Sequence, residues 1–170
     1  PGTLSLERHR LLWLYLERET QFLKKSLTVL HIAPEQILFK KFKTFTHWEY
    51  ITCDLYSPLA EIKADLCNVQ DHKKAIDELY RVLKNGGTLI AQVPIDLKRQ
   101  FTIEDNSITD PKKRSKIFGQ YDHLRIYGKD YFDFLDNAGF TSQCISYTEQ
   151  LSQEEIKKYG LKYEQIPIAI

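Results

Sequence analysis

The chain has 170 residues, enough for one domain around one core, and its 42% hydrophobic and 28% charged residues are the balance of an ordinary globular protein. Its 24 Lys and Arg against 23 Asp and Glu leave a net charge of +1, which offers no overall attraction for nucleic acid or an anionic membrane. No apolar run approaches the roughly 18 residues of a membrane span, and no charged start with an apolar core reads as a signal peptide, so a cytoplasmic protein with no membrane partner is expected.

Leu4 to Leu23 predicts an amphipathic helix, with Leu11, Leu12, Tyr15 and Leu16 recurring near a 3.6 period and Glu7, Arg8, Glu17 and Arg18 off that face. Leu27 to Ile32 is a continuous apolar run that suits a strand buried under two helix layers, and Ala33-Pro34 breaks it. A short helix follows over Gln36 to Phe45. Strands are predicted at Glu49 to Cys53, ending at Asp54, and at Ile62 to Leu66. Asp71 to Leu83 predicts a helix ended by Gly86-Gly87, and Thr88 to Val93 a buried strand stopped by Pro94. Asp96 to Gly119 is a polar excursion of the kind that serves as a lid or binding loop. A helix over Asp130 to Ala138, a strand over Thr141 to Thr148, a helix over Gln153 to Tyr159 and a strand over Gln165 to Ile170 complete the order.

This alternation predicts an α/β fold: a Rossmann-like three-layer α-β-α sandwich with a mostly parallel sheet and an antiparallel last strand. Residues 1–26 read as an amino-terminal helical arm and residues 27–170 as one domain. Cys53, Cys67 and Cys144 are odd in number and far apart, neither a disulfide framework nor a zinc spacing, and no metal is expected. The sequence has no Met and starts at Pro1, which raises the expectation that it is shorter than the chain as made.

Four segments carry a resemblance. Val29 to Glu35 (VLHIAPE) holds a strand and its following loop. Tyr50 to Leu55 (YITCDL) is a strand ending in an acid. Leu79 to Ile90 (LYRVLKNGGTLI) is the most specific, and Leu135 to Phe140 (LDNAGF) is the fourth. Together they resemble the class I S-adenosylmethionine-dependent methyltransferases, of the bacterial type 11-like kind, over residues 27–170. The third segment is similar to the family's Leu-x-Arg-Val-Leu-Lys-Pro-Gly-Gly, with Asn85 in place of Pro.

The resemblance implies S-adenosylmethionine as cofactor and methyl transfer to a small-molecule or unknown acceptor. It implies cofactor contacts from His31, Ala33, Pro34 and Glu35 after the first strand, from Asp54 and Leu55 after the second, and from Asp65 and Leu66 after the third. Ligands of open α/β sheets bind beyond the carboxyl ends of the strands, and an acid ending strand 2 can accept both ribose hydroxyls. Asp65 is expected near the adenine amine.

The loop departs from the family's Asp/Glu-x-Gly-x-Gly: His31 stands for the acid, Ala33 for the first Gly and Glu35 for the later one. Glu35 can accept from the methionine ammonium or fill the pocket, and His31 can be a ligand contact or a histidine satisfied at a strand end. Between Asp65 and His72 there is no room for the family's helix and central fourth strand. A segment of about 15–30 residues is therefore expected to be missing between Asp65 and Asp71.

Asp122-His123 is the candidate catalytic pair, His123 as base and Asp122 orienting it, against the plainer reading of an Asp122–Arg125 ion pair. Pro94-Ile95-Asp96 is a weaker pocket candidate. The basic run Asp110 to Lys116, and Lys40, Lys41 and Lys43, read as solvated helix faces; Trp13 and Trp48 read as packing residues. His9 and Arg10 either cover the cofactor or face solvent. The competing functional reading is a degenerate module that binds the cofactor without turnover. A nicotinamide oxidoreductase is excluded by the lack of Gly-x-Gly-x-x-Gly after a strand.

Overall fold

The computed structural model describes residues 5–64, 72–121 and 123–170. In chain order the elements are α1 (Glu7–Glu19), β1 (Leu27–Ile32), α2 (Gln36–Phe42), β2 (Trp48–Cys53), α3 (His72–Val82), β3 (Leu89–Ile90), β4 (Ile103–Glu104), α4 (Pro111–Phe118), β5 (Arg125–Ile126), α5 (Asp130–Asn137), β6 (Ser142–Ile145), α6 (Gln153–Tyr159) and β7 (Ile166–Ala169). Single 3-10 turns at Phe22–Lys24 and Tyr147–Gln150 join them. Among the described residues no helix is long and apolar enough to cross a membrane.

The expected Rossmann-like sandwich is not what the chain forms. The described residues carry three small sheets: β1 with β2 parallel, β7 between β3 and β6, and β4 with β5 antiparallel. The difference lies in strand pairing. Leu89 and Ile90 sit opposite Ala169 and Ile168 in an antiparallel ladder, where the expected fold needs β3 in one parallel sheet with β1. The strand expected from Ile62 is a single bridge, Cys53 to Ile62, among the described residues. β1 itself alternates, with Thr28 and Leu30 exposed, so it is not covered on both faces as a central parallel strand must be. An apolar run specifies burial but not the direction of its partner. The segment expected to be missing between Asp65 and Asp71 lies outside the described residues.

The chain divides into two compact units, Pro1–Cys67 with Ser146–Ile166, and Asn68–Ile145 with Pro167–Ile170. In the first, β1, α2 and β2 form a βαβ unit with Leu27 opposite Trp48 and Ile32 opposite Cys53. α1 buries Leu11, Leu12, Leu14 and Leu16, each contributing about 1.5–3 kcal/mol when removed from water. α6 starts at a capping box: Ser152 Oγ accepts from Glu155 N at 3.2 Å and Glu155 Oε2 from Ser152 N at 3.1 Å. Gly160 ends it at φ +56°, a left-handed conformation glycine adopts freely. Arg10 of α1 fastens this end, Nε donating to Tyr159 O at 2.6 Å and Nη2 to Gly160 O at 2.7 Å.

In the second unit Ile76, Ala91, Tyr127, Tyr131, Leu135, Phe140 and Ala169 form the core. The polar excursion holds α4, whose Asp110 Oδ1 accepts from Lys113 N at 2.7 Å with Pro111 in the first turn. Gly128 lies against the backbone of Phe101, where an added Cβ would meet the carbonyl carbon at 2.6 Å.

Candidate functional site

The carboxyl ends of β1 and β2 bring together His31, Ala33, Pro34 and Glu35 with Asp54 and Leu55. Ala33 N donates to Cys53 O at 2.8 Å, so the turn leaving β1 is held against the end of β2. Ala33 has φ +48°, and among the described residues no other non-glycine residue has positive φ. In this region Cβ crowds the following carbonyl, at a cost of roughly 1–2 kcal/mol. Pro34, which fixes its own φ, is buried behind it. Strain of this kind persists where surroundings over-determine it, and it clusters at ligand sites.

Glu35 opens α2 but makes no side-chain cap. Its Oε2 is 3.3 Å from His31 Nε2 and its Oε1 is 3.3 Å from His9 Nε2, with Arg8 Nη2 at 4.0 Å. His31 Nδ1 is 2.7 Å from the Tyr50 hydroxyl. Burial, then the charges of Glu35 and Glu61, push the Tyr50 hydroxyl well above its ordinary range. Held protonated, it donates to His31 Nδ1, leaving His31 Nε2–H to donate to Glu35. His9 also has its proton on Nε2, because its Nδ1 accepts from Leu6 N at 3.2 Å, but that buried Nε2 stands 3.3 Å from Glu35 Oε1 without hydrogen-bonding geometry. His9 is 5% exposed, and burial holds its pKa below the ordinary 6.5 against the pull of Glu35. Burial works against the Glu35 carboxylate, but hydrogen bonds from His31 and its own backbone N–H, with the charges of His9 and His31, hold its pKa below 4.5.

Asp54 follows β2. Its Oδ1 accepts from Tyr56 N at 2.7 Å and Ser57 N at 2.6 Å, an Asx turn that starts the loop to Ile62. That loop folds back on β2: Thr52 O accepts from Glu61 N and Ile62 N, and Thr52 Oγ1 donates to Leu59 O at 2.8 Å. Among the described residues Asp54 Oδ2 takes no hydrogen bond. Leu55 beside it is 38% exposed.

Two features fit an adenosine-bearing cofactor: the small Ala33 side chain at a strained turn, and the second acceptor oxygen of Asp54. Glu35 does not fit as an ammonium acceptor while both its oxygens face histidines. Asp65, Leu66 and Asp122 lie outside the described residues.

His123 belongs to the second unit. Its Nδ1 is 3.1 Å from Phe118 O. A carbonyl only accepts, so Nδ1 carries the proton and Nε2 keeps the basic lone pair. Arg125, 8% exposed, pairs with Glu104 at 3.0 Å, and His72 Nδ1 stands 3.9 Å from the same carboxylate. Pro94 to Asp96 are used in pairing: Tyr127 N donates to Pro94 O at 2.9 Å and Asp96 N to Tyr127 O at 2.8 Å.

Tyr50 was the functional side chain that sequence reading passed over. In the parallel register Tyr50 is opposite Val29, two residues before His31, so both rings stand on one face of the pair. That parity was the available signal. Among the described residues no cluster of three His, Cys, Asp or Glu side chains could hold a metal ion. No protein-family model matches this chain, and no curated protein matches it.

Proposed function

We propose that the chain binds S-adenosylmethionine at the carboxyl ends of β1 and β2 and transfers its methyl group to an acceptor. The observation that carries the reading is the strained left-handed Ala33 turn beside Asp54, at the place where ligands of βαβ units bind. The four segments that resemble the methyltransferases add to it. The cofactor supplies an electrophilic methyl group on a sulfonium. Asp54 Oδ2 accepts from the ribose hydroxyls while Oδ1 keeps the loop in shape. Small-molecule acceptors suit the near-neutral chain best.

The test is the melting temperature with S-adenosylhomocysteine, in the unmodified chain and in Asp54→Asn. Asn keeps the Oδ1 acceptor and replaces Oδ2 with a donor. At 100 times its dissociation constant a ligand adds about 2.7 kcal/mol, a shift of roughly 5–10 °C for a chain of this size. The expected result is a shift of that size, lost in Asp54→Asn although that variant alone melts as the parent does. No shift at millimolar ligand overturns the reading.

The Glu35 contacts favour a second reading, a module that binds the cofactor without turnover, because they fill the loop from within. Binding with no methyl release to any acceptor screened supports it over the first.

A further inference from the structure

The first unit has an open hollow of about 470 Å3 between α1, the Phe22–Lys24 turn and α2. That size suits a small molecule. Its walls are aromatic: the rings of Trp13 and Phe45 lie 7° from parallel with centroids 6.4 Å apart. Its rim is basic, with Lys24, Lys40 and Lys41 against one carboxylate, Glu17. Lys41 Nζ stands 4.0 Å from the centre of the Trp13 ring. Lys24 and Lys40 are exposed and have no ion-pair partner among the described residues.

The two tryptophans differ in a telling way. Trp48 Nε1 donates to Phe22 O at 3.2 Å and Lys25 O at 3.1 Å, as a packing residue does. Trp13 Nε1 makes no hydrogen bond among the described residues, so its polar edge is unused. With Lys41 swung off the indole face that it covers, that face, three ammonium groups and one acceptor meet the requirements of a flat ring that carries a phosphate and an amino group. Glu17 lies four residues from Trp13, on the same side of α1, and supplies the acceptor for the amine.

We infer that this hollow binds a nucleoside monophosphate with an amino-bearing base, the base against Trp13 and the phosphate among Lys24, Lys40 and Lys41. The free nucleotide is favoured over a nucleic-acid strand because the chain as a whole is almost neutral and the lysines are gathered at one hollow rather than along a track.

The experiment is calorimetric titration of the full chain with adenosine monophosphate, alongside adenosine, inorganic phosphate and an oligomer of ten deoxyadenylates. The expected result is saturable 1:1 binding of the monophosphate, at least tenfold tighter than adenosine or phosphate alone. Lys40→Glu and Lys41→Glu, both exposed positions, each weaken it tenfold or more. Trp13→Leu weakens it similarly, whereas Lys43→Glu, which places the same charge at the end of α2 outside the hollow, leaves it within threefold. Three outcomes overturn the inference: no monophosphate binding at millimolar concentration, equal weakening by Lys43→Glu, or an oligomer that binds tenfold tighter than the monophosphate. Asp54→Asn separates this site from the proposed cofactor site. Loss of the monophosphate in that variant, with competition by S-adenosylhomocysteine, assigns the nucleotide to the β1–β2 site and also overturns it.

Discussion

His9 Nε2 faces Glu35 Oε1 at 3.3 Å, tying the first turn of α1 to the loop that leaves β1. His9 Nδ1 is already taken by the Leu6 N–H, so a second proton on that ring would set two N–H groups against each other. The contact is therefore built for a neutral histidine and an ionised carboxylate.

Both groups give acid sensitivity of the same sign. The folded pKa of His9 is depressed below 6.5, so the unfolded chain takes up the proton more readily, and the stabilisation present above 6.5 is lost as pH falls through that value toward the folded one. The Glu35 pKa is depressed below 4.5, so its contribution is present above 4.5 and is lost as pH falls through the folded value. Urea denaturation between pH 7.5 and 5 should show stability falling with pH. His9→Gln, which keeps an acceptor for Leu6 and removes the titrating ring, should flatten the slope in that window while the fall below 4.5 remains. An unchanged slope would place the acid-sensitive group elsewhere.

Ala33 tests the strained turn. Ala33→Gly should change stability by less than about 1 kcal/mol, because relief of the left-handed strain offsets the extra freedom of glycine in the unfolded chain. Ala33→Val should cost about 1–3 kcal/mol, a β-branched side chain being far less tolerant of φ +48°. Thermal melts of the two variants check this ordering.

Asp54 separates loop shape from ligand contact. Asp54→Ala leaves the N–H groups of Tyr56 and Ser57 without their acceptor and should cost about 1–2 kcal/mol, while Asp54→Asn should fall within about 0.5 kcal/mol of the parent. Equal destabilisation by both would mean that charge, not the Asx turn, holds the loop.

In the second unit Glu104 neutralises the buried Arg125. Burial opposes its ionisation, but hydrogen bonds from Arg125 and Asn106 keep its pKa below the ordinary value. Glu104→Gln should destabilise by about 1–3 kcal/mol, less than a fully buried pair would because the carboxylate is partly exposed. Chemical denaturation of that variant is the measurement.

His123→Asn tests the contact that holds the end of α4. The amide can keep a donor toward Phe118 O while Nε2 is removed. Thermal melts of that variant should fall within about 1 kcal/mol of the parent, since only the hydrogen bond to Phe118 is at stake.

Local elements were legible where local chemistry decides them. β1 is Leu27–Ile32 and α6 is Gln153–Tyr159, as predicted, because Pro34 stops the first and Ser152, Glu155 and Gly160 bound the second. Strand pairing was not legible. Leu89-Ile90 reads equally well as a parallel or an antiparallel strand, and its partner, Ile168-Ala169, lies almost 80 residues away. The His31–Glu35 contact follows from a four-residue spacing across a turn. The approach of His9 does not, since it depends on where α1 packs, and Tyr50 required the register of β2 on β1.

The Arg10 fastening to α6 sets an order of events during synthesis. Its acceptors, Tyr159 and Gly160, follow it by 149 and 150 residues, a delay of roughly 8–30 s at ribosomal speeds. The first unit needs residues up to Ile166, and the second takes its last strand from Pro167–Ile170. Neither unit can finish folding until the chain has passed Ser146–Ile166, and a ribosome stalled after Ile145 would hold two incomplete units with their apolar faces open to any chaperone nearby.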